Sequence, residues 1–378
     1  NMPNWTPLSL RVAGEDWMDL RRVELLDHHQ QLDLKRGILQ RNIRFRDREG
    51  RVSQYRSRRL VHMDSPHLAA LEATLLPENW SGRIQIRSAL DGRVINDNVA
   101  RYRPLESRHL EPLEARAING GMLLRVRTNQ SHIEVVQAAR TRVECDGRQA
   151  PPPVTAPGED AYVAQFFDCR AAEGHPITIE KTVALFTSRD PAISECGLAA
   201  VKELDRAEHF ESLARRHAGL WYHLWQRFDL ALEGPDEEQT SHTSLVLHLH
   251  LFHILQTASP NIMGLDVGVP ARGLHGEAYR GHIFWDEMFI FPTLNLRMPE
   301  ITRALLGYRH RRLPEARAAA QREGFQGALY PWQSGSDGRE ESQVLHLNPK
   351  SMRWVPDNTQ LQRHVNASIA YNVWQHFQ

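Results

Sequence analysis

Ile177-Thr178-Ile179-Glu180-Lys181-Thr182-Val183-Ala184-Leu185 alternates apolar and polar side chains and is rich in β-branched residues. A period of two reads as a strand with one face in a core. The same period recurs upstream in Arg83-Ile84-Gln85-Ile86-Arg87, Leu123-Leu124-Arg125-Val126-Arg127 and His132-Ile133-Glu134-Val135-Val136. Turn signals separate these runs: Asp91-Gly92, Asn119-Gly120-Gly121, Asp146-Gly147, and the loop from Pro151-Pro152-Pro153 to Pro157-Gly158. So many short strands from Leu8 to about Ser194, with little helix between them, predict a large antiparallel β-sandwich.

Beyond Ser194 the period changes. Leu204, Phe210, Leu213, Leu220, Leu224 and Phe228 fall at helical spacing within Val201–Phe228. Asp229–Pro235 breaks that run, and Asp236-Glu237-Glu238 opens a long apolar helix through Leu245–Ile254, its acids at the end the helix dipole favours. Further helices are predicted at about Trp285–Leu296, Pro299–Tyr308, Leu313–Glu323 and Val365–Phe377. The division expected is 1–194 sandwich, 195–234 helical linker and 235–378 helical domain. Two long loops, Gly264–Arg280 and Pro331–Pro356, are of the length that usually carries function.

Composition narrows the chemistry. The 378 residues are 41% hydrophobic and 24% charged, enough for a sizeable core. Lys+Arg and Asp+Glu are both 46, and only four of the cations are lysine, so neither a nucleic acid nor a membrane surface is an expected partner. Three widely spaced cysteines, Cys145, Cys169 and Cys196, form no disulfide framework or zinc pattern and suit a reducing cytosol. No run approaches the roughly 18 apolar residues of a membrane span, and the localisation expected is cytoplasmic. The start at Asn1 and the uncapped helical run Ala367–Gln378 read as a fragment of a longer protein.

The densest chemical constellation is Gly273-Leu274-His275-Gly276-Glu277-Ala278-Tyr279-Arg280-Gly281-His282-Ile283-Phe284-Trp285-Asp286-Glu287. Its glycines let a loop approach a ligand closely. Trp285 beside Asp286 offers an apolar platform and a carboxylate able to accept from two vicinal hydroxyls, a pairing suited to a pyranose. The same residues also read as core aromatics opening a helix, with Asp286 as its first-turn acid. Gly327-Ala328-Leu329-Tyr330-Pro331-Trp332-Gln333-Ser334-Gly335 places aromatics between turn residues, either lining the same pocket or anchoring a loop. Among the twenty histidines, His248-Leu249-His250-Leu251-Phe252-His253 gives no HExxH-like pair, because Ile254 follows His250 by one turn, and no metal is expected. Serine-hydrolase, P-loop and dinucleotide motifs are absent from the sequence.

The run Ala271–Glu287, followed by Gly327–Trp332, closely resembles glycoside hydrolase family 65, which includes the maltose, trehalose and kojibiose phosphorylases. Glu24–Asp27, Gln31–Arg41 and Leu90–Asn96 resemble the family's β-sandwich domain. The resemblance implies a β plus α fold class: a large antiparallel β-sandwich, a helical linker, then the incomplete start of an (α/α)6 barrel whose long loops form a glucose pocket. Trp285 and Asp286 match the family residues that hold the non-reducing glucose; Arg280, with Tyr330 and Trp332, is a candidate for the same pocket. The family's general acid lies in a Gly-Pro-Asp-Glu-Tyr-type motif well beyond this segment. Gly234-Pro235-Asp236-Glu237 precedes it and continues with Glu238, so it reads as a helix start. The acid, and the phosphate loop, are expected past Gln378, and no catalytic residue is assigned.

The implied activity is an inverting phosphorylase that acts on a disaccharide substrate of the trehalose, maltose or kojibiose type. Inorganic phosphate would be its co-substrate, with no other cofactor, and β-glucose 1-phosphate its product; a homodimer is compatible with the family. The alternatives are an inverting hydrolase of the same family, an inactive fragment lacking the acid, and a lectin-like sandwich carrying the sugar site in residues 8–194.

Overall fold

The computed structural model describes residues 1–274 and 276–378, which form two compact units: residues 1–95 with 108–225, and residues 96–107 with 226–378.

The first unit is built from β1 (Leu8–Val12), β2 (Glu24–Asp33), β3 (Ile38–Arg46), β4 (Val52–Val61), β5 (Leu68–Pro77), β6 (Gly82–Asp91), β7 (Leu110–Ile118), β8 (Gly121–Thr128), β9 (Glu134–Cys145), β10 (Arg148–Gln149), β11 (Val154–Thr155), β12 (Tyr162–Ala171) and β13 (Ile177–Thr187). They make a nine-stranded sheet, β2-β3-β4-β5-β13-β9-β8-β7 with β10 beside β9, and a four-stranded sheet, β1-β6-β12-β11. Every pairing is antiparallel, and β13 lies at the middle of the larger sheet with Thr182 opposite both Ala70 and Arg140. The expected antiparallel sandwich is the fold observed.

Between the sheets, Ile43, Phe45, Leu71 and Leu75 meet Leu10, Ile84 and Ile86. One-sided alternation does not describe the central strands. Met122–Leu124 and Val135–Ala139 are buried at every position, because the outer face of the large sheet is covered too. There Leu123, Val136 and Ala138 pack with Ala200, Leu204, Phe210 and Leu213, which belong to α1 (Cys196–Arg206) and α2 (Phe210–Phe228). The helical run read over Val201–Phe228 therefore begins earlier and is broken at 207–209. Ala207 turns extended (φ −65°, ψ 129°), and the break carries neither Gly nor Pro to announce it.

The C-terminal half of α2 and the Lys35–Gly37 turn fit closely. Gly37 is left-handed at φ +64°, and a Cβ there would fall 2.1 Å from Trp221 Nε1. The turn is held by Trp225 Nε1 donating to Leu34 O at 2.9 Å, with His217 Nε2 3.0 Å from Gly37 O.

Lys181 is the main polar anomaly of the sandwich interior. It is fully buried, and its Nζ donates to Ala89 O at 2.6 Å and Pro7 O at 3.3 Å. Burial disfavours the ammonium and brings its pKa down to about 7. Between that value and 10.5 the unfolded chain holds a proton that the folded chain has released, so stability rises with pH across this window and is flat below it. Lys181→Met is expected to remove a slope of about 1.4 kcal/mol per pH unit. Denaturant midpoints at several pH values between 7.5 and 9.5 check this; an unchanged slope in the variant contradicts it.

The second unit contains α3 (Glu237–Thr257), α4 (Glu287–Arg297), α5 (Pro299–Arg311), α6 (Leu313–Arg322), the short hairpin β14 (Leu345–Leu347) with β15 (Trp354–Pro356), and α7 (Val365–Phe377). Asp236 caps α3 by accepting from Gln239 N at 2.9 Å, so the Gly234–Glu237 segment is a helix start. Among the described residues no helix is long and apolar enough to cross a membrane.

Candidate active site

The glycine-rich run and the aromatic segment, distant in sequence, are fastened by main-chain bonds. Ile283 N donates to Ser334 O at 2.9 Å and Ser334 N to Ile283 O at 3.0 Å; Ile283 also bridges Pro270, and Ser334 bridges Glu340. The run turns sharply just before this point. Tyr279, Arg280 and Gly281 are all left-handed, at φ 63°, 53° and 70°. Two of them carry side chains, a strained arrangement of the kind that concentrates at functional sites. His275, within the same run, lies outside the described residues.

The turn delivers Phe284 to a buried cluster with Trp332, Val365 and Ile369, against which Trp285 and Tyr330 are partly buried. The Trp332 ring meets Phe284 at 5.9 Å and His364 at 4.7 Å, and Trp285 meets the same His364 at 6.0 Å. Trp285, Trp332 and Tyr330 are thus brought together. Trp285, beside exposed Phe289, and Tyr330 are each half-buried and keep some surface open; Trp332 is 8% exposed and belongs to the core. Tyr330 spends its hydroxyl on Arg309 O at 2.9 Å, and its N–H donates to Asn366 Oδ1 at 2.7 Å. Arg280 is exposed and donates Nη2 to Glu341 O at 3.1 Å, tying the two loops together.

Asp286 occupies the N-cap position of α4 yet makes no side-chain cap hydrogen bond. An aspartate there ordinarily accepts from the first-turn N–H groups. This carboxylate is half-buried, and burial pushes its pKa above the ordinary value, offset only by its own N–H. It is an acceptor that the helix does not use.

Beneath it sits a pair that the sequence does not announce. Glu287 is fully buried, and burial raises its pKa to about 6 against the pull of Arg309 and the N–H of Val269. Val269 N donates to Glu287 Oε1 at 3.3 Å, and the Arg309 guanidinium approaches to 4.0 Å. Arg309 Nη1 donates to Ser334 Oγ at 2.8 Å. The pair thereby joins the glycine-rich loop, the first turn of α4, the end of α5 and the aromatic segment. Glu340 adds a second brace, accepting from Trp332 N at 2.8 Å and Gln333 N at 3.2 Å. Glu287 resembles any first-turn acid in the sequence, and neither Arg309 nor His364 stands in a motif.

Among the described residues no group of three or more His, Cys, Asp or Glu side chains could hold a metal ion. His248 Nε2 instead faces Asp229 Oδ1 at 2.8 Å. A cavity of about 450 Å³ in the first unit is lined by Trp17 and Trp80, and one of about 610 Å³ in the second by Pro299 and Arg311; neither includes Trp285 or Asp286.

Residues 1–224 match the model of the N-terminal domain of glycosyl hydrolase family 65, and residues 248–378 match that of the family's central catalytic domain. An uncharacterized glycosyl hydrolase of Mycobacterium tuberculosis is 44% identical over all of this chain and 28% of its own length. A trehalose 6-phosphate phosphorylase of Lactococcus lactis is 32% identical over 78% of this chain and 37% of its own. A kojibiose phosphorylase of Halothermothrix orenii is 28% identical over all of this chain and 48% of its own, so the chain spans less than half the length of these relatives. Among solved structures, a human-microbiome protein assigned as a kojibiose phosphorylase superposes over all of this chain and 46% of its own, with a TM-score of 0.79 at 19% identity; the fold is shared.

Proposed function

The chain belongs to glycosyl hydrolase family 65, and from that premise we propose that it carries the glucose-binding part of an inverting disaccharide phosphorylase. In this reading residues 1–194 are the sandwich domain, 195–234 the linker and 235–378 the opening of the catalytic barrel. Trp285 supplies the apolar platform for a pyranose face, Asp286 accepts from two of its hydroxyls, and Tyr330, Trp332 and Arg280 hold the surrounding loops. The observation that carries the reading is Asp286, a half-buried carboxylate at a helix N-terminus that caps nothing and stands beside a partly open indole.

In such an enzyme one carboxylic acid protonates the glycosidic oxygen while inorganic phosphate attacks the anomeric carbon from the opposite face. An α-glucosyl disaccharide then yields β-glucose 1-phosphate and a free sugar. A hydrolase needs a second carboxylate, about 6.5–9.5 Å from the acid, to activate water. No carboxylate of this chain is assigned to either role.

The test supplies trehalose, maltose and kojibiose in turn to the intact protein, with and without phosphate. We expect β-glucose 1-phosphate from one of them, strictly dependent on phosphate. Free glucose released at the same rate without phosphate would instead establish a hydrolase.

A further inference from the structure

We infer that residues 96–107 form a strap that holds the two loops of the candidate site in register, with Asn98 and Tyr102 as positioning residues for substrate binding. The inference rests on the phosphorylase reading for its kinetic consequence, though not for its structural one.

The segment lies between β6 and β7, where the sequence shows only a connection between strands of the sandwich. Its flanks, Ile95 and Arg108, belong to the first unit, whereas residues 96–107 are part of the second. It is a closed loop: Asn96 N donates to Ser107 O at 3.1 Å, and a short turn at Ala100–Tyr102 is followed by Leu105 N donating to Tyr102 O at 3.0 Å. Inside it, Arg103 Nε donates to Asp97 O at 2.8 Å. A compact loop with joined ends and its own internal bonds holds a shape rather than merely spanning a gap.

Two contacts reach the site. Asn98 donates its backbone N–H to Glu277 Oε2 at 2.8 Å and its Nδ2 to Glu277 Oε1 at 2.9 Å, so both carboxylate oxygens are held. Glu277 lies two residues before the left-handed turn at Tyr279–Gly281 that delivers Trp285 and Asp286. Tyr102 donates its hydroxyl to Gln343 Oε1 at 3.0 Å. Gln343 follows Glu340 and Glu341, which hold the aromatic segment and receive Arg280. The strap therefore grips each loop at its outer end, while the Ile283–Ser334 bridge joins them at the inner end. A strained turn needs surroundings that over-determine it, and the two-point hold of Asn98 on Glu277 supplies one side of that constraint.

Three variants of the intact protein test this. Asn98→Asp replaces the side-chain donor with a carboxylate facing Glu277, Tyr102→Phe removes one hydroxyl, and Asn98→Gln keeps the amide. We expect faster amide exchange across 276–287 in Asn98→Asp and across 340–347 in Tyr102→Phe, with other segments unchanged. For the disaccharide that is cleaved, KM should rise about tenfold in Asn98→Asp, the size of one lost hydrogen bond to a carboxylate, and about threefold in Tyr102→Phe, the size of one lost neutral hydrogen bond, with kcat nearly kept in both, and Asn98→Gln should keep KM near the wild-type value. Unchanged exchange in both segments overturns the inference even if no disaccharide is cleaved, an outcome that would count only against the phosphorylase reading. Equal losses in kcat and in global stability, without rescue by Asn98→Gln, would also overturn it, reducing the strap to a fold element.

Discussion

Asp286→Ala is expected to lower disaccharide turnover by about 10²–10⁴-fold, the loss of two charge-assisted hydrogen bonds at roughly 1.5–3 kcal/mol each. Stability should hardly move. The carboxylate caps no backbone N–H of α4, and its burial already disfavours the ionised form, so its removal deletes no favourable fold contact. Activity and stability thus separate at this residue. Asp286→Asn should fall between wild type and Ala, because the amide keeps one acceptor but loses the charge. Steady-state kinetics beside a thermal melt decides the matter: a large fall in Tm with unchanged kcat/KM would make Asp286 the first-turn acid of an ordinary helix.

Arg309→Met is expected to do the reverse, destabilising the second unit by about 3–5 kcal/mol because it leaves Glu287 buried without its cation. Arg309 and Glu287 are 3% exposed each and approach to 4.0 Å. The pH dependence has a definite sign. Glu287 titrates near 6 in the folded chain against an ordinary 4.5, so between those values the unfolded chain has released a proton that the folded chain keeps. Stability therefore falls as pH rises through this window, by about 2 kcal/mol in the wild type. Removing Arg309 takes away the opposing pull, raises the folded value further and extends the fall to higher pH. Urea unfolding at pH 4.5, 6 and 7.5 measures both effects. A loss below about 1 kcal/mol at pH 7.5, within the range of an exposed pair, would contradict the buried-pair description.

Much of the fold was legible because its signals are local. The alternation in Ile177–Leu185 marks β13, and the start and stop signals place α5, α6 and α7 to within a few residues. What was not legible depends on distant partners. Met122–Leu124 and Val135–Ala139 lose their alternation only because α1 and α2 cover a second face of the sheet. The break at Ala207 has no breaker residue to mark it. At the site, the Trp285–Asp286 pairing stands out from composition and order alone, whereas the fastening of the two loops depends on long-range bonds such as the Ile283–Ser334 bridge and Arg280 to Glu341 O. Trp332 and Tyr330 look alike in sequence, yet one is core and the other spends its hydroxyl on a backbone carbonyl. Glu287 reads as a helix-opening acid until Arg309 is seen beside it, and nothing in the sequence of residues 96–107 marks Asn98 as the donor that Glu277 receives.

The most direct measurement is calorimetric titration of the intact protein with glucose and with the cleaved disaccharide, comparing wild type, Trp285→Ala and Asp286→Ala. If the pyranose sits against Trp285 and Asp286, both variants lose most of the binding heat. Undiminished affinity in both would contradict this placement and move sugar recognition elsewhere in the chain, with the sandwich of residues 8–194 as the next place to look.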